Sequence, residues 1–195
     1  MLQPRTMIKA AYNDKAIVAS ILANSFNNNQ SVNYIVIQDR RKVARLKALM
    51  EYSFDVCFLF GDVFLTDDKK GCALIVYPDK KKTTLKSLLL NAKLVLRCTG
   101  LYNVKKVMKR EAAVSGVHPD GLIYYLWFIG VTDAEQGKGI GSQLLDFIVK
   151  EGRIQKRILC LETSTQRNIP WYQKKGFQIY KELDFGYRLY CMKME

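Results

Sequence analysis

The chain has 195 residues, 49% of them hydrophobic and 25% charged, enough for one domain with a sizeable core and too apolar for a disordered chain. Thirty-one basic against 18 acidic residues leave a formal charge of +13, which implies attraction to a polyanion: nucleic acid, a membrane surface or a phosphorylated cofactor. A single histidine, His118, excludes zinc sites built on several histidines, and five scattered cysteines with no CxxC exclude a disulfide framework.

No stretch reads as a targeting or membrane-spanning segment. The longest nearly uninterrupted apolar run, "GLIYYLWFIGV", falls short of the roughly 18 residues a bilayer needs. The expectation is a cytoplasmic protein with neither metal nor membrane as a partner. Without repeats or a Gly/Ser/Pro-rich linker, residues 1–195 are expected to form a single domain. Short basic runs such as Lys80–Lys82 read as solvated faces.

In chain order, Asn13 or Asp14 can cap a helix carrying Ile17, Val18, Ile21, Leu22 and Phe26, which the polar "NNNQ" ends. A second helix starts near Arg41 with Val43, Leu46 and Met50 on one face, and "FDVCFLF" reads either as its buried end or as a strand. "DVFLTDDKKGCALIVYP" has the form of a hairpin, two apolar runs around a turn of Asp, Lys and Gly. Helical stretches follow near residues 82–95 and 101–113. The second half alternates: a strand at Gly121–Val131, a glycine loop, a helix over about Gly139–Lys150, the strand "RILCLETS", a short helix at Pro170–Lys175, and the strands "FQIYKEL" and "YRLYCMKM". Strand, loop, helix, strand is the pattern of a parallel or mixed α/β sheet, with ligands at the carboxyl ends of its strands.

The loop "EQGKGIGS" carries the chemistry. A helix start exposes about four unpartnered N–H groups and roughly half a positive charge, so it attracts phosphate. Gly137, Gly139 and Gly141 let a phosphate approach the amides, Lys138 adds a cation and Ser142 a hydroxyl. The string is neither the Walker loop GxxxxGK[ST] nor the dinucleotide fingerprint GxGxxG. A glycine-rich turn without a ligand remains open on spacing alone.

"QGKGIG" resembles the Q/R-x-x-G-x-G/A signature of the GNAT superfamily of acetyl-CoA-dependent N-acetyltransferases, with Gln136, Gly139 and Gly141 at the signature positions. The resemblance extends to Val131 before the loop and to a downstream Tyr-x-x-x-Gly-Phe element, present as Tyr172, Gly176 and Phe177 in "NIPWYQKKGF". "LETSTQRNIPWYQKKGF" is similar to the branch containing puromycin N-acetyltransferase. Ile123 stands where that branch often has a histidine, so no role for that histidine carries over. The specific match covers about Val117–Phe177.

The resemblance implies an α/β (α+β) fold of GNAT type, with a mixed, mostly antiparallel central sheet, a splayed parallel strand pair and helices on both faces. It implies acetyl-CoA as co-substrate and a small-molecule amine, favoured over a protein, as acceptor. Backbone groups at Ile129 and Val131 would pair with the pantetheine arm. Gln136, Gly137, Lys138, Gly139, Ile140, Gly141 and Ser142 would hold the pyrophosphate, and Asn168 would contact the cofactor arm or simply cap a helix. Tyr172 would give a hydrogen bond or a proton to the leaving sulfur. A base is needed, because an alkylamine of pKa about 10.4 is protonated at neutral pH. Glu162 is the candidate, directly or through water, although a strand glutamate is more often structural. His118 reads as a loop residue. Tyr124, Tyr125 and Trp127 alternate along a strand, some packing in the core and one or two lining the acceptor pocket, which "NNNQ" would border. Two other readings stand beside the enzyme: a basic nucleic-acid-binding module, and an inactive acetyl-CoA-binding sensor. Pairing of the C-terminal strands would allow a homodimer.

Overall fold

Nearly continuous apolar runs on the central strands, whose side chains point alternately to the two sides, build a sheet buried on both faces. A computed structural model describes residues 5–195, and residues 1–4 lie outside it. The elements are β1 (Met7–Lys9), α1 (Lys15–Ser25), α2 (Gln30–Ile35), α3 (Lys42–Phe60), β2 (Gly61–Thr66), β3 (Gly71–Val76), α4 (Leu85–Leu94), α5 (Gly100–Ser115), β4 (Ile123–Val131), α6 (Ile140–Ile154), β5 (Ile158–Thr163), α7 (Ile169–Lys174), β6 (Gln178–Asp184) and β7 (Arg188–Met194). Among the described residues the strands form one seven-stranded sheet in the order β1-β2-β3-β4-β5-β7-β6. It is antiparallel except at the β4–β5 pair, and it is the mixed α/β fold expected. The edge strand β6 carries exposed Lys181, Glu182 and Asp184, charges that discourage edge-to-edge pairing.

Each sheet face has its own core. Val63, Leu65, Cys72, Leu74 and Phe128 pack against α1 and α3, through Leu22, Leu46, Met50 and Phe54. Phe64, Ala73, Ile75, Tyr124, Leu126, Leu159 and Leu161 pack against Ile140, Leu144, Leu145 and Ile148 of α6. Burying those four α6 side chains contributes about 1.5–3 kcal/mol each and fixes the helix start beside the sheet. No described helix is long and apolar enough to cross a membrane.

Several local expectations change. "FDVCFLF" is the end of α3, whose Phe54, Val56 and Cys57 are buried while Val43, assigned to the buried face, is 71% exposed. Asp14 stands at the cap position of α1, but its carboxylate accepts from the Ala11 N–H (2.9 Å) and pairs with Lys69 (2.8 Å), so it ties the preceding turn to the β2–β3 hairpin. "NNNQ" ends α1 and starts α2, capped by the Asn29 side chain accepting from the Val32 N–H (3.1 Å). A six-residue helix and the three-residue β1 are too short to leave a periodic pattern.

Candidate functional site

The parallel pairing of β4 and β5 ends early. It holds at Ile123–Ile158, Tyr124–Leu159 and Tyr125–Cys160, after which β4 runs on to Val131 beside β3 alone. A bulge helps to part the strands. Leu74 faces Phe128 and Ile75 faces Leu126, so Trp127 is an extra residue that reverses the alternation of β4. Phe128 thereby joins the α1 side, whereas Ile129 and Val131 pack toward α6.

The fork opens a cavity of about 740 Å³, lined by β4 from Tyr125 to Val131 and by the end of β5 from Leu161 to Thr165. The Thr132 N–H donates to the Lys70 carbonyl at 2.9 Å. Since strand backbone groups alternate in direction, those of Gly130 also face β3 and those of Ile129 and Val131 face the gap. The Val131 carbonyl already accepts from Ser25 Oγ (3.0 Å) and Gln136 Nε2 (3.3 Å). That leaves Ile129 and the Val131 N–H for an extended ligand strand.

At the mouth, α6 begins. Gly137 and Gly139 have φ of +75° and +79°, a left-handed region costly for any residue with a Cβ. They let the chain turn from β4 into the helix. The first bond of α6 runs from the Gln143 N–H to the Gly139 carbonyl (3.1 Å), so the amides of Ile140, Gly141 and Ser142 precede it and form the helix's anion-attracting end. A Cβ on Gly141 would come no nearer than 3.8 Å to Trp171 or Val131. The absent side chain at Gly141 therefore clears cavity space rather than relieving the fold. Glu135, an acid beside this anion site, is held below the usual carboxylate range by Lys70 and Lys138, each 3.3 Å away.

The remaining expected contacts divide. The Gln136 side chain donates to Val131 O and Asp133 Oδ1 (3.0 Å), bracing the turn. Lys138 pairs with Glu135, a lining residue, but does not itself line the cavity. Ile140 is 1% exposed, so only its backbone is free to meet a ligand. Ser142 Oγ accepts from Trp171 Nε1 (3.0 Å), a clamp between α6 and α7 that the sequence did not announce. Asn168 lines the cavity, and its side chain makes no capping bond to α7.

Two groups of titratable residues meet the cavity from opposite faces of the sheet. Tyr172, on the α6 face, is buried against Phe177, and burial pushes its phenol above the ordinary range. No protein group among the described residues accepts a bond from its hydroxyl. On the other face, the Tyr125 hydroxyl donates to Glu162 Oε2. His118 packs on Tyr125, with ring centroids 5.3 Å apart, and aims Nε2 at Glu162 Oε1 from 3.6 Å. Neither of those two facing atoms has a hydrogen-bond partner. His118 is a loop residue, as expected, and the turn after α5 that carries it brings it against β5, a contact with no sequence signature. Burial first and the Glu162 charge second keep the Tyr125 phenol protonated far above its usual value. Of the aromatics on β4, Tyr125 and Trp127 line the cavity, whereas Tyr124 lies in the core.

The loop before α2 closes one end. Asn29 Nδ2 donates to Thr165 Oγ1 (3.3 Å), Ser164 Oγ to Asn29 Oδ1 (3.3 Å), and the Ser31 N–H to Ser164 Oγ (3.3 Å). Arg110, buried in α5, donates to Ser31 Oγ (2.6 Å) and to the Tyr187 hydroxyl (3.0 Å) and pairs with Glu111. Among the described residues, no cluster of His, Cys, Asp and Glu could hold a metal ion.

Residues 101–179 match the family model described as the acetyltransferase (GNAT) domain. The fold is similar to the crystal structure of a histone acetyltransferase HPA2 and related acetyltransferase from Corynebacterium glutamicum, with TM-score 0.75 and 19% identity over 98% of this chain and 96% of that one. It is also similar to arylalkylamine N-acetyltransferase 2 from Aedes aegypti (TM-score 0.69, 13% identity, 98% and 99% covered). A third similar structure is yncA, a putative acetyltransferase from Salmonella typhimurium solved with its cofactor acetyl-CoA (TM-score 0.54, 15% identity, 99% and 94% covered). Over residues 101–179 the chain thus matches the GNAT acetyltransferase domain, and it shares its fold with structures described as acetyltransferases.

Proposed function

We propose that residues 1–195 act as one catalytic domain that acetylates a small-molecule amine, with the donor's arm in the β4–β5 fork and the acceptor entering from the α2–α5 side. The observation that carries this reading is the placement of Tyr172 on one face of the fork and the Glu162–Tyr125–His118 cluster on the other. The amine adds to one face of the planar thioester and the sulfur leaves along a different bond of the tetrahedral intermediate, so proton acceptor and sulfur partner are needed at separate positions. The small acceptor is supported by the stitching of Asn29 and Ser31 to Ser164 and Thr165, which narrows that end of the cavity. Resemblance of "LETSTQRNIPWYQKKGF" to the puromycin N-acetyltransferase branch points the same way. The nucleic-acid-binding module is not favoured. Five buried, unpaired thiols fit a reducing, cytoplasmic setting.

Ile129 and the Val131 N–H pair with the donor's arm, the amides of Ile140, Gly141 and Ser142 hold its pyrophosphate, and Asn168 contacts the arm. Glu162 takes the amine proton through the Tyr125 hydroxyl, because both carboxylate oxygens face Tyr125 and His118. His118 is a positioning residue for the carboxylate. The amine nitrogen bonds to the acetyl carbon, the carbon–sulfur bond breaks, and coenzyme A leaves as its thiolate. With a thiol pKa of about 8.5, the sulfur does not take the proton from a phenol pushed above 10. Tyr172 therefore stabilises the developing thiolate by a hydrogen bond, as an oxyanion donor does.

Thiol release from acetyl-CoA over an amine panel tests the reading. Tyr172→Phe is expected to lower kcat by about 10²–10³ across the whole pH profile without moving it. Glu162→Gln is expected to lower it by about 10²–10⁴. Acetyl-CoA binding without turnover of any amine would leave only the sensor reading.

A further inference from the structure

The segment from Lys80 to Arg110 holds ten Lys and Arg and no Asp or Glu, so most of the chain's +13 is concentrated in 31 residues that take no part in the fork apart from Arg110. Nine of those ten cations are exposed. Arg97, 3.6 Å from Glu51, is the one exposed cation among them with an ion-pair partner among the described residues. The same segment contains seven of the large exposed apolar side chains: Leu85, Leu88, Leu89, Leu96, Leu101, Tyr102 and Met108.

Their arrangement is regular. α4 contains no buried residue, although five of its ten residues are leucine. It leans on the core through Leu94 and on Tyr52 through Asn91, whose Oδ1 accepts from the tyrosine hydroxyl at 2.8 Å. Leu85, Leu88, Leu89 and Ala92 are exposed at i, i+3, i+4 and i+7, one face of a helix, and Leu96, 75% exposed, continues the row. Lys86, Lys93 and Arg97 fall together one residue further round the same turns, along the flank of the stripe. An outward apolar stripe edged by exposed cations, of which Lys86 and Lys93 have no ion-pair partner among the described residues, is the form of a helix lying in a bilayer surface, with leucines among the acyl chains and lysines at the headgroups.

We propose that the outer face of α4 docks on an anionic lipid bilayer, parallel to its plane, and holds the enzyme at a membrane surface without spanning it. A second copy of the chain is the weaker occupant, since a two-fold contact lays the same patch on itself and would oppose the basic runs of both subunits. A nucleic acid would use the lysines but not the leucines, and the row offers no aromatic platform on which bases could stack.

The test is sedimentation of the full chain with vesicles of phosphatidylcholine alone and of phosphatidylcholine with about one quarter phosphatidylserine. Binding is expected to the anionic vesicles only. Lys86→Gln with Lys93→Gln is expected to weaken it about 30-fold, and Leu88→Gln with Leu89→Gln at least about tenfold at unchanged net charge. Both variants keep wild-type acetyl-CoA affinity by calorimetry, because neither pair touches the fork. Three results would overturn the proposal: no sedimentation with anionic vesicles, binding that the leucine pair leaves unchanged, or a dimer that the leucine pair splits while lipid binding is absent. Failure here leaves the acetyl-transfer assay untouched, so the two readings fall separately.

Discussion

α6 and α4 are both apolar helices, α6 packed on the sheet and α4 on α3, and they end in opposite situations. α6 buries Ile140, Leu144, Leu145 and Ile148 against the α7 face, and its first turn, thus immobilised, offers three amides to the fork. α4 buries nothing. One stripe is used up in positioning a site; the other is left facing outward among cations. An apolar stripe read from sequence therefore specifies that something covers it, and only the fold tells whether the cover is the protein itself.

Substitutions sharpen that contrast. Leu144→Ala, at a fully buried position, is expected to cost about 2–5 kcal/mol, while Leu89→Ala, 63% exposed, stays within about 0.5 kcal/mol. Urea midpoints of the two variants check this, and equal losses would mean that α4 packs as tightly as α6. Next come the glycines at the start of α6. Gly139→Ala forces a Cβ into a left-handed turn and is expected to destabilise by about 1–2 kcal/mol. Gly141→Ala has room in the protein and raises helix propensity, so stability holds or rises while acetyl-CoA affinity falls about tenfold or more by calorimetry. Loss of stability at Gly141 would make that glycine structural.

The smallest effect concerns the anchor of the turn that follows α4. Arg45 donates to both carboxylate oxygens of Asp39 (3.0 and 2.7 Å) and to the Arg97 carbonyl (3.3 Å) in the wide π turn, Val95–Thr99, that follows α4. The Arg45 hydrogen bond is the main reason that the Asp39 carboxyl is lowered from 3.8 to about 2. A depressed folded pKa contributes stability that is full above the unfolded value and is lost as pH falls through the folded one. The window is therefore pH 3.8 down to 2. A small drop in the urea midpoint is expected there, and Asp39→Asn is expected to lack it.

Much of the fork half was legible because its signals are local. The glycine spacing, the helical spacing of Leu144, Leu145 and Ile148, and the tyrosine before Gly176-Phe177 each lie within one or two adjacent elements. The proposed acceptor side was not, because it is assembled from α2, α5, the turn at His118 and β5, segments up to 136 residues apart where Asn29 reaches Thr165. No local pattern records such a contact. The bulge at Trp127 also escaped reading: it reverses the alternation of β4 and so decides which of its aromatics reach the cavity.

By itself the sequence determined the glycine turn, the chain order of the strands and helices around it and the residue types available for acid–base chemistry, since turn conformation and amphipathic spacing are properties of short segments. Tertiary structure alone decided three further things. It separated β4 from β5 beyond Tyr125, brought Glu162, Tyr125 and His118 together on one side and Tyr172 to the other, and left the leucines of α4 uncovered. These depend on which faces of distant segments are packed against one another, and burial, unlike helical spacing, is settled only when the whole chain has folded.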